Sequence, residues 1–349
     1  MKTLRYTLSF ATPAFMGNAE QNAQWRTPPI KALLRQWWRV AYAADKNFAV
    51  RVDEMRQEEG LLFGMASEGD SQKSQIRIRL DRWDEGKLKK SDWPRDIGTP
   101  HPEVKNKSGQ VVSVGSALYL GYGPLEFSNG TSLKKSAAIQ AGESATLSIA
   151  VPNPHAPLIE HALWLINQYG TLGGRSRNGW GSFALLPLPQ AGEGWGEGAL
   201  PARPWRDCLQ LDWPHAIGRD VKGPLIWQTA PYDDWKALMK TLAEVKIGLR
   251  TQFGFKTGKN AHAPESRHWL SYPVTNHSVS TWGNNARLPN TLRFKIRPTP
   301  DGKLVGLIFH VPHLPPAAFR PDQPAIERVW TQVYAFLDAP KQALTRILE

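Results

Sequence analysis

The chain has 349 residues, 41 % of them hydrophobic and 15 of them tryptophan, which is too much apolar material for wholesale disorder and enough length for two domains. Lysine and arginine number 43 against 31 acids, and the formal charge of +12 points to a nucleic acid or another anionic surface as partner. The single cysteine, Cys208, excludes an intrachain disulfide and any cysteine-based metal cluster and suits a reducing cytoplasm, while no apolar run is long enough for a transmembrane helix.

From the N-terminus, Leu4, Tyr6, Leu8 and Phe10 alternate with Thr3, Arg5, Thr7 and Ser9. That two-residue period predicts a half-buried strand over Lys2–Phe10 and not a signal peptide. A helix follows, with Thr27 as N-cap and Pro28 at its first position. Ile30, Leu33, Leu34, Trp37, Trp38 and Ala41 form its apolar stripe. Lys31, Arg35 and Arg39 stack along a second face, Arg26 precedes them, and no acid stands between Glu20 and Asp45. Such a row is either a solvated helix face or a contact for a phosphate backbone. Strands are expected near Gln75–Leu80, around 111–123 and around 143–151, and a second helix over Leu158–Tyr169. Arg77 and Arg79 alternate with Ile76 and Ile78, a pattern that edge protection alone can explain.

The second helix runs into Gly170-Thr-Leu-Gly-Gly-Arg-Ser-Arg-Asn-Gly-Trp-Gly181, the most informative stretch of the chain. Its glycines permit positive φ and close approach of a ligand. Arg175 and Arg177 supply planar cations suited to phosphate oxygens, and Trp180 offers a ring on which a base could stack. Nucleotide fingerprints do not fit: Trp180-Gly181 stands where a Walker A loop needs Lys and Ser/Thr, and a dinucleotide motif lacks its third glycine. The alternative is a tight connection into a strand over Ser182–Leu186 with merely solvated arginines.

Residues 187–204, with glycine at alternate positions between prolines, are expected to be a flexible linker or insertion. They divide the chain into domains at 1–186 and 205–349. In the second, Cys208–Trp213 reads as a strand, Trp235–Val245 as a helix, Leu292–Arg297 with Lys303–Val311 as a hairpin and Ala325–Leu337 as a closing helix. Arg293, Lys295 and Arg297 would line a basic, edge-protecting strand face. Strand-helix-strand-strand-helix patterns on both sides of the linker predict an α+β protein of two tandem ferredoxin-like domains. Among the histidines, His310 and His313 make an isolated H-x-x-H pair too weak for a metal site, and His155, His161 and His268 have no evident catalytic partner.

Several segments together resemble the RAMP superfamily of CRISPR proteins, and within it the first RAMP subunit of type III-B (Cmr) effector complexes. They are Thr12-Pro-Ala-Phe-Met-Gly17 with Ala19-Glu20, Arg26-Thr-Pro-Pro-Ile-Lys31, Leu34-Arg-Gln-Trp-Trp-Arg39, Leu62-Phe-Gly64, Tyr119-Leu-Gly-Tyr-Gly123 and Leu172–Ser182. The second domain matches weakly, through Arg267–Thr275 and Arg287–Arg297, and 187–204 is outside the pattern. The resemblance implies two RNA-recognition-like domains in a cytoplasmic ribonucleoprotein. The subunit would lie near the 3′ end of the guide RNA beside other RAMP subunits of the Cmr complex and engage complementary target RNA. It implies no cofactor, no metal and no membrane. RAMP endonucleases commonly carry a histidine in or near the first helix or an acid in the loop before it. Here residues 11–47 hold no histidine and loop 11–27 only Glu20, so a non-catalytic subunit is expected. Its RNA-binding residues would be Arg26, Lys31, Arg35, Arg39, Gly173, Gly174, Arg175, Ser176, Arg177 and Gly179. The competing expectations are a metal-independent endoribonuclease that processes guide RNA through His155 or His161, and an electrostatic scaffold for acidic proteins.

Overall fold

A computed structural model describes residues 1–66, 71–188, 198–283 and 285–348. In chain order the first half runs β1 (Lys2–Phe10), α1 (Thr27–Asp45), α2 (Val52–Phe63), β2 (Arg77–Leu80), β3 (Leu88–Lys89), β4 (Gly98–Lys105), β5 (Val111–Gly115), α3 (Ser116–Gly121), β6 (Leu125–Phe127), β7 (Thr131–Leu133), β8 (Ala137–Ala138), β9 (Ser144–Val151), α4 (Ala156–Tyr169) and β10 (Phe183–Pro187). The second half runs β11 (Ala202–Pro204), α5 (Trp205–Cys208), β12 (Ile217–Asp220), β13 (Gly223–Pro224), β14 (Ile226–Thr229), α6 (Trp235–Thr251), β15 (Leu292–Pro298), β16 (Leu304–His310), α7 (Gln323–Leu337) and β17 (Leu344–Arg346). The protein is α+β. Two compact units divide it: Met1–Arg95, Gly121–Pro201 and Lys295–Leu304 make the first, and Asp96–Leu120, Ala202–Phe294 and Val305–Glu349 the second. A single cut through 187–204 does not give this division, because each unit borrows one segment from the far side of the cut.

The first unit is a four-stranded antiparallel sheet in the order β10-β1-β9-β2. Leu4, Tyr6, Leu8 and Phe10 lie on the buried face with Leu147, Ile149, Val151, Phe183 and Leu185, as the alternation requires. Helices α1 and α4 pack together. Their stripes, Ile30, Leu34, Trp37, Trp38 and Ala41 on one and Ile159, Leu163 and Ile166 on the other, are buried. Trp37 stacks on Tyr169 with ring centroids 5.9 Å apart. Helix α1 begins one residue earlier than expected. Arg26 holds the N-cap position in extended geometry with no side-chain cap, and Thr27 is already helical. Pro28 and Pro29 stand in the first turn, and prolines have no N–H to satisfy, so less is asked of a cap.

The second unit contains β14, β17 and all of β16 after Leu304; the strand order here is β15-β16-β14-β17, with β14 antiparallel to both neighbours. The hairpin between β15 and β16 closes with the Thr299 amide donating to the Lys303 carbonyl at 2.8 Å. Asp234 caps α6, its side chain accepting from the amides of Lys236 and Ala237. Three expectations change. The segment Cys208–Trp213 is no strand: Trp205 and Cys208, three residues apart and both buried, belong to the helical turn α5. The apolar run 111–123 splits into β5 and α3, because the Asp96 carboxylate accepts the Ala117 and Leu118 amides at 2.9 and 3.0 Å and starts a helix there. On β15, Arg293 and Lys295 are buried and form no solvated basic row. Of the expected linker, Pro187 ends β10 and Ala202–Pro204 forms β11, parallel to β12, while 189–197 lie outside the described residues.

Candidate nucleic-acid interface

The glycine loop hangs between α4 and β10 and is bedded on the segment that precedes α1. The Leu172 amide donates to the Gly181 carbonyl, the Gly181 amide to the Pro13 carbonyl and the Gly174 amide to the Phe15 carbonyl, each at 2.9 Å. Thr12 Oγ1 donates to the Gly179 carbonyl at 2.9 Å and accepts the Ser182 amide at 3.0 Å. Ser182 Oγ also donates to the Gly179 carbonyl, at 2.8 Å, and accepts the Ile296 amide at 2.8 Å. Ser182→Ala leaves that Ile296 amide buried without an acceptor. The expected cost is about 1–3 kcal/mol in chemical denaturation, and an unchanged midpoint would show the hydroxyl to be idle.

The glycines therefore differ in duty. Gly173, Gly179 and Gly181 have positive φ, at 90°, 90° and 61°, whereas Gly170 and Gly174 do not. At Gly173 an added Cβ would stand 2.7 Å from the Phe15 carbonyl oxygen, and at Gly181 it would fall on that of Leu172. These residues shape the loop; Gly179 is buried, with its carbonyl fully occupied, and is placed to build the site more than to touch a ligand.

What the loop presents is charge. Arg175, in the left-handed region at φ 57°, and Arg177 are both exposed, and among the described residues neither side chain has an acidic or hydrogen-bonding partner. Neighbouring protein displaces water from the Arg177 guanidinium and pulls its pKa below the ordinary value, although much of the side chain stays open to solvent. The amides of Arg175, Ser176 and Arg177 donate to no acceptor among the described residues. Adjacent free amides beside a left-handed residue make a concavity suited to an anion.

Trp180 does not serve as a stacking surface. It is 0 % exposed and packed between Phe15 and Trp93, at centroid distances of 5.2 and 5.9 Å, because its ring completes the bed beneath the loop. The exposed aromatic of this region is Tyr122, 66 % accessible. It adjoins Gly123, whose Cβ position lies 3.5 Å from the Arg175 guanidinium. Tyr122 stands in the Tyr119–Gly123 segment, but nothing local marks it as neighbour to the loop.

The helix row is only partly free. Glu59 of α2, 1 % exposed, receives Arg35 Nε at 2.5 Å and Arg39 Nε at 2.8 Å, with Arg39 Nη2 on its other oxygen at 2.9 Å. The row that lacks any compensating acid within α1 finds it on another helix, and Arg35 and Arg39 serve as a clamp between α1 and α2. Arg26 Nη1 donates to the Gly17 carbonyl at 2.6 Å and steadies the loop that carries Phe15. Lys31, partly exposed, has no side-chain partner among the described residues. The structure thus joins the glycine loop, segment 12–17 and Arg26, and directs Arg35 and Arg39 elsewhere.

The histidines lie in packing roles. His310 is buried between Thr291 Oγ1 and the Tyr334 hydroxyl, 2.7 Å from each, and stacks on Trp330; burial pushes its pKa well down. His313 Nδ1 pairs with its neighbour carbonyl at Val311, so the H-x-x-H spacing does not converge. His161 Nε2 pairs with the Ala199 carbonyl at 3.0 Å, His268 Nδ1 accepts the Glu265 amide at 2.9 Å, and His155 sits at the α4 N-cap. Among the described residues no group of three or more His, Cys, Asp or Glu is placed to hold a metal ion, and no helix is long and apolar enough to cross a membrane.

The family model of the RAMP superfamily matches residues 7–184, just over half of the chain, and spans both the α1 row and the glycine loop. No curated protein is similar in sequence. Among solved structures, Cmr1 from Pyrococcus furiosus in its apo form is 14 % identical, with a TM-score of 0.45 over 89 % of this chain and 88 % of that one. A chain of a type III-B Cmr-beta complex bound to cognate target RNA is 10 % identical, with a TM-score of 0.47 over 95 % of this chain and 99 % of the other.

Proposed function

The chain belongs to the RAMP superfamily, and on that premise we propose that it is a non-catalytic, RNA-binding subunit of a type III-B CRISPR effector complex. It engages guide RNA near the 3′ end and complementary target RNA, in contact with other RAMP subunits, in the cytoplasm and without a cofactor. Both of its units are read as ferredoxin-like domains. The observation that carries this reading is the loop: two arginines and adjacent amides that have no partner among the described residues, on a backbone anchored by hydrogen bonds to Thr12, Pro13 and Phe15. A hydrogen-bonded cradle whose donors have no partner or acid among the described residues can bind phosphate oxygens without distorting. Tyr122 is the ring on which an adjacent base stacks.

The test is titration of labelled single-stranded RNA with the purified protein over a range of salt. Arg175→Ala with Arg177→Ala is expected to weaken binding and to reduce the slope of log K against log salt by about 1.4, or about 0.7 for each phosphate no longer neutralised. Thermal stability should hardly move, since neither side chain bonds to another described residue. Normal binding by the double variant would remove the loop from the site. Cleavage of the RNA by the parent would overturn the non-catalytic reading.

A further inference from the structure

The sheet of the first unit has a second face. Across β1, β9 and β2, opposite the core, stand Thr3, Arg5, Thr7 and Ser9, then Ser144, Thr146, Ser148 and Ala150, then Arg77 and Arg79. The register sets Arg5 and Arg79 on either side of Ser148, and Thr3 and Arg77 on either side of Ala150. Directly opposed residues share a face, so the three arginines converge on one patch. All three are exposed, and among the described residues none has an acidic partner. The acid at the border is Asp81, and its carboxylate already accepts the Thr146 amide at 2.9 Å.

Edge protection explains Arg77 and Arg79, since β2 ends the sheet. It does not explain Arg5, because β1 is paired on both sides, with β10 and β9. Like charges on facing strands repel, and no acid among the described residues within the patch offsets that repulsion. The centre of the face carries hydroxyls and nothing apolar larger than Ala150; Leu186 and Leu188 lie on the β10 flank. A folded protein partner would require aromatic or aliphatic anchors at the centre, whereas arginines mixed with Ser and Thr are the residues that contact phosphates. The spacing also suits a strand of nucleic acid: about 7 Å from Arg77 to Arg79 along β2, and about 10 Å from Arg5 to Arg79 across two strand intervals.

We infer that this open sheet face is a second, sequence-independent contact for the phosphate backbone of RNA, centred on Arg5, Arg77 and Arg79. The inference rests on the RNA-binding reading above but uses none of its residues. The triple variant Arg5→Ala, Arg77→Ala, Arg79→Ala in the full chain is expected to lower affinity for labelled single-stranded RNA about ten-fold or more, and the salt slope by about 2. Its melting temperature should match the parent's. The corresponding triple Arg→Lys variant keeps the charge and should retain the slope. If the alanine variant binds RNA as the parent does while the Arg175/Arg177 variant is weakened, the sheet inference fails and the RNA reading stands. A parent protein that binds no RNA removes both. Equal weakening in the lysine and alanine variants overturns the electrostatic account. Loss of the parent's polyglutamate binding in the alanine variant, with RNA binding intact, assigns the face to an acidic protein and likewise overturns it.

Discussion

Gly181→Ala is expected to destabilise the first unit by about 4 kcal/mol or more, and to abolish ordered RNA binding with it. Two costs combine. The residue sits at φ 61°, where any side chain is strained, and the new Cβ would collide with the Leu172 carbonyl oxygen. Neither side can retreat, because the Leu172 amide is bonded to the Gly181 carbonyl and the Gly181 amide to Pro13. Gly174→Ala is the control: its φ is ordinary and the nearest atom, Pro124 Cγ at 3.1 Å, belongs to a side chain. That change should cost less than about 2 kcal/mol. Urea unfolding of the two variants decides the matter, and equal midpoints would mean that the loop has slack it does not show.

Arg39→Glu is the second large effect. In a solvated row this reversal would cost little stability. Instead it sets a new carboxylate against Glu59, which is 1 % exposed, and removes both hydrogen bonds that Arg39 donates to it. Breaking a buried pair typically costs about 3–5 kcal/mol; with 37 % of the Arg39 side chain in water, the expected value is about 3 kcal/mol. Glu59→Gln in the same chain should recover much of the stability, because it removes the repelling charge. A single Arg39→Glu variant that melts with the parent would make this residue a free surface cation after all. The clamp also bears on RNA binding by α1, since weaker binding in an Arg35 or Arg39 variant then reports a disturbed α1–α2 contact as readily as a weaker hold on phosphate.

The residues that were legible in the sequence owe it to local pattern. The alternation in β1 and the stripe of α1 put every apolar side chain on its proper face, because both periods are set by backbone geometry alone. The closing helix and the β15–β16 hairpin were legible for the same reason. What was not legible depends on partners distant in sequence. Trp180 between two glycines looks like an exposed ring until Phe15 and Trp93 close over it. Glu59 lies in α2, a helix whose sequence offers no clear stripe, and only packing brings it to Arg35 and Arg39. Lys295 alternates with apolar neighbours like any edge-strand charge, yet it is buried. Its side-chain nitrogen donates to the Ile166 and Asn167 carbonyls at 3.0 and 2.7 Å, in the last turn of α4. The glycine loop was legible as a place, whereas the division of its residues between shaping and contact was not.

The segment Lys295–Leu304, which the first unit takes from late in the chain, governs the order in which the molecule can be made. The loop leaves α4 at Gly170, yet the amide that occupies Ser182 Oγ comes from Ile296, and the lysine that closes the end of α4 comes one residue earlier. A ribosome delivers the chain from its N-terminus at roughly 5–20 residues per second. The nascent first half must wait several seconds, with its helix end open and its serine unanswered, until Lys295 and Ile296 emerge. Contacts of such long sequence separation form late and slowly. A message truncated between codons 182 and 295 would therefore yield a polypeptide carrying the whole of the loop sequence and no finished cradle. The finished form of the loop waits on residues more than a hundred positions downstream of it.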